Sequence, residues 1–240
     1  MEALELFDDA ELSRVLCVVA HPDDMEYGES AAVAEWTSRG VEVSYLLLTA
    51  GEAGIRGMPP AEAGALRAAE QRAACDIVGA DRLTILDLPD GLVEHSLETR
   101  RLIAREIRRT RPDAILTMTW DLEAEWGLNH ADHRAAGLSV VDAIRDADNP
   151  WLYPEQIAEE GLDAWMTTWL LVYMHDPRHA IRVSPDSLER AVSSLEAHRV
   201  YLEALPGHPE PRELITGALA NGGERAGVPL ALPVRAYRMG

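Results

Sequence analysis

The chain of 240 residues contains no lysine: its 22 basic residues are all arginine, set against 41 Asp and Glu, and the net charge is −19. Without lysine, Schiff-base catalysis and a P-loop are excluded. So little positive charge also argues against nonspecific binding to nucleic acid or to an anionic membrane, both of which would repel the chain. Cysteine is nearly absent. Cys17 and Cys75 lie far apart in apolar contexts, which excludes a disulfide framework and a Cys-rich zinc site and leaves two buried structural thiols. With Phe7 as the single phenylalanine, the core must lean on Ala, Val, Leu and Ile. No apolar run approaches the roughly 20 residues of a membrane span. The start, MEALELFDDAELSR, lacks a basic and then apolar leader, so no signal peptide is expected and the protein is read as cytoplasmic. A hydrophobic content of 47% is ordinary for a globular chain and excludes disorder.

What is present is an alternation of short apolar runs with helical spacing. Val15–Ala20, Val41–Thr49, Leu83–Leu88 and Ala114–Thr119 read as strands. Between and after them, Gly28–Ser38, Ala61–Val78, Leu97–Thr110 and Ala131–Arg145 read as helices. Gly40 and Gly79 stand at C-cap positions, and Pro112 follows the third helix. Arg100–Arg111 reads as the solvated face of that helix, with arginines favoured near its C-terminus by the dipole. Later, Trp169–Met174 reads as a strand, Ser187–Leu205 as one long helix, and the segment from Pro206 as a Gly- and Pro-rich tail. This order predicts an α/β fold: a Rossmann-like open, mostly parallel sheet with helices on both faces. It is read as a single domain over residues 1–240, in which 1–145 carry the motifs and 146–240 shape the pocket.

Two clusters carry chemistry. The first strand ends in His21-Pro22-Asp23-Asp24, and the fourth leads into Asn129-His130-Ala131-Asp132-His133. Ligands of open α/β sheets bind at the carboxyl ends of strands. Each cluster alone is equally a turn or a helix start, with Asp24 or Asp132 near a helix N-terminus. Together, at one sheet edge, they bring His and Asp groups side by side with no lysine to balance the acids, and a divalent cation would supply that charge. Two nitrogens and one oxygen with an open position is a catalytic zinc arrangement.

With AHPDD (Ala20–Asp24), Gly28, LTAGEAG (Leu48–Gly54), LRAAEQRAACDIVGA, LPDG (Leu88–Gly91) and NHADHRAAG (Asn129–Gly137), the chain resembles the PIG-L/LmbE-like zinc-dependent N-deacetylases. The resemblance implies His21, Asp24 and His133 as metal ligands and Asp23 as the general base. It implies His130 as an imidazolium beside the oxyanion or leaving amine, with Asp132 orienting or charging it. Arg67 and Asp90 are implied substrate contacts. Zinc is the implied metal, and iron(II) suits the same donors. The implied substrate is an N-acetylated amino sugar or its glycoside, with no nucleic-acid or membrane partner; a homo-oligomer is allowed. The chain departs from the commonest pattern at Met25–Glu26, at Ala131 in place of Pro, and around His198.

Of the other histidines, His175 and His179 are candidates for the rim of the site, whereas His95 and His208 read as solvated surface. Gly51–Pro60 reads as a lid or as a plain surface loop. Trp120, Trp126, Trp165 and Trp169 serve sugar stacking or core packing, the latter favoured for Trp169. Rival functions are an amidase acting on a larger thiol-sugar conjugate, a metal-dependent phosphoesterase, and an inactive metal- or sugar-binding homologue. A phosphoesterase would need two metals and basic phosphate contacts. Pure binding would not need Asp23 and His130.

Overall fold

A computed structural model describes residues 2–124 and 127–240. Its strands are β1 (Glu5–Leu6), β2 (Arg14–Val19), β3 (Glu42–Leu47), β4 (Arg82–Ile85), β5 (Ala114–Met118), β6 (Glu123–Ala124), β7 (Gly127–Leu128), β8 (Trp169–Tyr173), β9 (His179–Arg182) and β10 (Ala231–Arg238). The helices are α1 (Glu29–Ser38), α2 (Pro60–Val78), α3 (Leu97–Thr110), α4 (Ala131–Asp148), α5 (Pro154–Ala158), α6 (Pro185–Glu196), α7 (Arg199–Glu203) and α8 (Pro211–Ala226). Among these residues eight strands form one sheet in the order β1-β9-β10-β8-β5-β2-β3-β4, and β6 pairs with β7 in a separate hairpin.

Val15–Val19 are all buried because β2 is covered on both sides. Val15, Cys17 and Val19 point into one apolar layer, Leu16, Val18 and Ala20 into the other, the period of two that a pleated strand imposes. The first layer packs under α1, α2, α6 and α8; the second under α3 and α4. Phe7 packs edge-on against Trp169 at 5.2 Å, so the half-buried Trp169 packs against the core.

β4-β3-β2-β5-β8 run parallel. From β2 the chain moves to β3 on one side, and from β5 to β8 on the other. The crevice between the carboxyl ends of β2 and β5 is therefore the point where the strand order reverses, and there open α/β sheets place their ligands.

The structure corrects three readings. The segment after Pro206 is not a loose tail: it forms α8 and then β10, which runs antiparallel between β8 and β9. Its glycines serve close packing. A Cβ on Gly222 would lie 2.2 Å from the Ala231 carbonyl oxygen, and one on Gly223 2.6 Å from that of Val228. Pro233 sits in β10 opposite Ala180, a residue that argues against an interior strand when only the sequence is seen. The long helix expected over Ser187–Leu205 breaks at His198, which is fully buried between α6 and α7. Finally, Arg108 is not on a solvated face. It is buried, and its guanidinium donates to the carbonyls of Asp146, Ala147, Asn149, Leu152 and Tyr153.

No helix among the described residues is long and apolar enough to cross a membrane.

Candidate active site

The carboxyl end of β2 turns on Asp24, whose Oδ2 accepts the backbone N–H groups of Ala20 (3.0 Å) and His21 (2.8 Å). This local side-chain bond closes the turn that Pro22 pre-bends. Between them Asp23 adopts φ 84°, a left-handed conformation uncommon for a non-glycine residue. Two groups from α2 hold it there. Gln71 accepts the Asp23 N–H at 2.9 Å, and Arg67 donates to Asp23 Oδ1 at 2.6 Å. Arg67 is itself fixed by the carbonyls of Pro22 and Gly51 and by the face of Tyr201, 3.8 Å away. A Cβ at Gly51 or Gly54 would come within 2.2 or 2.4 Å of the arginine Nη1, so the glycines of the Gly51–Pro60 loop make room for Arg67. The loop is further tied down where Ala53 N–H donates to Asp90 and Asp90 N–H donates to Glu52.

The other wall comes from β5 and α4. Asn129 Nδ2 donates to the carbonyls of Thr119 and Asp121, which orients its Oδ1 to accept from His133 Nδ1 at 3.1 Å. His130 caps α4, its Nδ1 accepting the Asp132 N–H at 3.3 Å. Gly137 lets the helix lie against β5, since a Cβ there would be 2.9 Å from the Met118 carbonyl oxygen.

These two walls bring His21, Asp24 and His133 together, one donor atom from each lying within 4.8 Å of the others. His21, His130 and Asp132 form a second group that meets the same limit. The Asp132 carboxylate faces His21 Nε2 at 3.2 Å and accepts the backbone N–H groups of Gly91 and Val93, and its charge also favours the protonated form of the neighbouring His130. Asp90 also faces His21, Oδ1 to Nε2 at 3.1 Å.

Electrostatics marks the cluster as one that calls for a cation. Burial works against the His21 imidazolium, yet the carboxylates of Asp24, Asp132 and Asp90 push it up to about 12. Burial likewise opposes ionisation of Asp24, but His133 and His21 hold its carboxyl far below the usual range. The geometry points the same way. His133 Nδ1 meets Asn129 while its Nε2 lies 3.2 Å from Asp24 Oδ1, and His21 Nε2 meets Asp132 and Asp90 while its Nδ1 lies 3.5 Å from Asp24 Oδ2. Two ring nitrogens turned toward one carboxylate are a donor set that suits a divalent metal. Asp23 stands beside this group. Burial, against the pull of Arg67, raises its carboxyl to about 6. Burial and the neighbouring His21 keep His130 below its ordinary value.

The cluster opens into a cavity of about 920 Å³ whose lining includes Asp23, Arg67, Asp90, His130, Tyr27 and Tyr201. His208, read from sequence as solvated, also lines it and meets the Tyr27 hydroxyl at 3.0 Å. His95 is exposed and pairs with Asp142. His175 does not line the cavity but sits between Asp121 and Tyr237 and against Trp120, and His179 accepts the Ala236 N–H on β10. His198 is buried 3.6 Å from Glu26, behind Gln71. Trp126 lies outside the described residues. Tyr27, three residues past Asp24, lies on the wall beside the first motif, where its place in sequence puts it. Residue type alone does not mark Gln71 or Tyr201 as part of the site.

The sequence and fold are similar to those of known proteins. The chain is 29% identical over 197 residues to a diacetylchitobiose deacetylase of Thermococcus kodakarensis, covering 81% of this chain and 71% of that protein. It is 30% identical over 137 residues to a probable N-acetyl-alpha-D-glucosaminyl L-malate deacetylase 2 of Bacillus anthracis, covering 54% and 58%. The fold superposes on N,N'-diacetylchitobiose deacetylase from Pyrococcus horikoshii with a TM-score of 0.83 at 22% identity, covering 95% of this chain and 85% of that one. Residues 16–144, which span both walls of the site, match the family described as PIG-L: GlcNAc-PI de-N-acetylase, and the chain belongs to that family.

Proposed function

We propose that the protein is a zinc-dependent hydrolase that removes the N-acetyl group from an amino sugar or amino-sugar glycoside. The observation that carries this reading is the convergence of His21, Asp24 and His133 beside Asp23 at the floor of a substrate-sized cavity. In this reading His21, Asp24 and His133 hold the metal, with iron(II) an acceptable substitute for zinc. A divalent metal there would polarise the amide carbonyl and acidify a water. Asp23 accepts a proton from the attacking water and returns it to the departing amine nitrogen. Arg67 fixes one Asp23 oxygen and leaves the other to work. His130, with Nδ1 engaged by the Asp132 N–H, carries its proton on Nε2 and donates a hydrogen bond to the carbonyl oxygen as charge builds on it. Asp132 positions His21, Asp90 faces the sugar from the rim, and residues 146–240 shape the cavity through Tyr173, Tyr201 and His208. The free thiols Cys17 and Cys75 accord with a cytoplasmic enzyme.

The test is metal analysis with an acetate-release assay on N-acetylglucosamine and its glycosides. The expected result is about one divalent metal per chain, lost in His21→Ala and His133→Ala. Asp23→Asn is expected to keep the metal while kcat falls by about a hundredfold or more. Full metal retention in both histidine variants would overturn the ligand assignment, and full activity in Asp23→Asn the general-base role.

A further inference from the structure

Gln71 and Arg67 of α2 hold Asp23, and both are held in turn by one short segment of the C-terminal third. α6 stops and α7 starts at His198, and the next residues run along α2. The Val200 N–H donates to Glu70 at 2.7 Å, and the Tyr201 ring lies on the Arg67 guanidinium. His198 reaches the Gln71 side. Its Nε2 lies 3.6 Å from Glu26 Oε2, Glu26 Oε1 accepts from Gln71 Nε2 at 3.2 Å, and Gln71 Oε1 accepts the Asp23 N–H at 2.9 Å. His198 is fully buried and does not line the cavity, so it can act on the reaction only through other groups.

Neither ring nitrogen of His198 makes a hydrogen bond. A buried polar group in this state is costly, and an apolar side chain could fill the same space without that cost. The surrounding charge supplies the reason for a histidine. The ring is faced by Glu26 from the turn after β2, by Glu70 from α2, and by Asp23 behind Gln71. Glu26 and Glu70 each keep one buried oxygen without a hydrogen bond. Burial opposes the imidazolium, but Glu26, Asp23 and Glu70 raise its pKa above the ordinary value. A positive ring among three acids offsets their mutual repulsion and fixes where Glu26 stands. With Glu26 fixed, the Gln71 amide has one orientation. Turned over, it would set its own N–H against the Asp23 N–H, donor against donor.

We propose that His198 is a positioning residue for the general base: a buried cation that holds Glu26, through which the Gln71 amide keeps Asp23 aimed at the reacting water. The role of Asp23 rests on the deacetylase reading above, whereas the brace itself can be read without turnover.

The test measures acetate release from N-acetylglucosamine by the metal-loaded full chain, together with exchange of the Asp23 amide proton followed by NMR. His198→Phe keeps a ring and removes the charge. It is expected to lower kcat by about tenfold or more, with KM and metal content within about twofold of wild type. Added to Gln71→Leu, the same change should cost less than about twofold, because the route to Asp23 is already cut. Exchange at the Asp23 amide should quicken by about tenfold or more. Should the lone Glu26 carboxylate unfold His198→Phe, the pair Glu26→Gln with His198→Phe removes both charges together. That double variant should melt near wild type and still show the lowered kcat and the faster exchange. Wild-type kcat in a folded variant, a loss that adds in full to that of Gln71→Leu, or Asp23 exchange at the wild-type rate overturns the proposal and leaves His198 a structural residue. No acetate from the wild-type enzyme, with faster Asp23 exchange in the variant, overturns the deacetylase reading and leaves the brace standing.

Discussion

Asp23 is held in a backbone conformation that costs about 1–3 kcal/mol, and the residues around it bear that strain. Gln71 takes its N–H, and the Gln71 amide is in turn bonded to the buried Glu26. Gln71→Leu should leave two buried polar groups unpaired and lower stability by about 1–3 kcal/mol for each. It should also reduce kcat/KM while metal content stays at wild type. A variant with lowered Tm and unchanged kcat/KM would show that Gln71 is structural only. Gly51→Ala is expected to be worse for activity than for folding. Its new methyl must displace Arg67, and φ 63° at that position disfavours any side chain. An acetate assay beside a melting curve separates the two effects. The motif residues His21, Asp23, Asp24, His130 and His133 were legible in the sequence because their chemistry is written in residue type. Gln71 was not, because a glutamine in an Ala- and Arg-rich helix looks like surface until the helix is docked.

At the scale of elements, two side chains tie helices to their neighbours. Arg108 of α3 collects the carbonyls that α4 and the following turn cannot satisfy themselves. Arg108→Leu should leave these buried acceptors unpaired and destabilise the fold by about 3 kcal/mol or more, seen as a lower denaturant midpoint. Glu35 of α1 accepts the Ser184 N–H and the Ser187 hydroxyl at the start of α6. Burial alone would raise its carboxyl, but the bonds from Ser187 and Ser184 win and lower it. The folded state therefore binds this proton less readily than the unfolded one. The stabilisation is complete above the ordinary carboxylate range and is lost as pH falls through the lowered folded-state value. Glu35→Gln should accordingly reduce Tm at neutral pH, with the gap to wild type closing in acid. A gap independent of pH would contradict this. The Ser184 cap itself was missed because α6 was read as starting at Ser187, the residue whose N–H the cap accepts.

At the scale of the whole molecule, the motif-bearing part shares its sheet with the rest of the chain. β5 pairs with β8, β8 with β10, and β10 with β9, so a fragment ending at residue 145 would expose one edge of β5 and strip the sheet of its antiparallel strand. That fragment is expected to show no cooperative thermal transition, whereas the full chain shows one; cooperative melting of the fragment would refute this dependence. The parallel core was legible because each of its strands is a short apolar run bounded by turn residues, a pattern set by local burial. β10 and α8 were not, since Pro233, Gly222 and Gly223 are breakers by local propensity and become favourable only where a neighbouring backbone approaches within contact. The acidic, lysine-free composition excluded whole classes of chemistry before any fold was known. By itself the sequence determined the fold class and placed two His/Asp clusters at one sheet edge, because residue type and periodicity are properties of the chain alone. The tertiary structure alone decided that Asp132 faces His21, that Arg67 and Gln71 brace Asp23, and that α8 borders the cavity. Those relations arise between residues distant in sequence, and only packing fixes which of them meet.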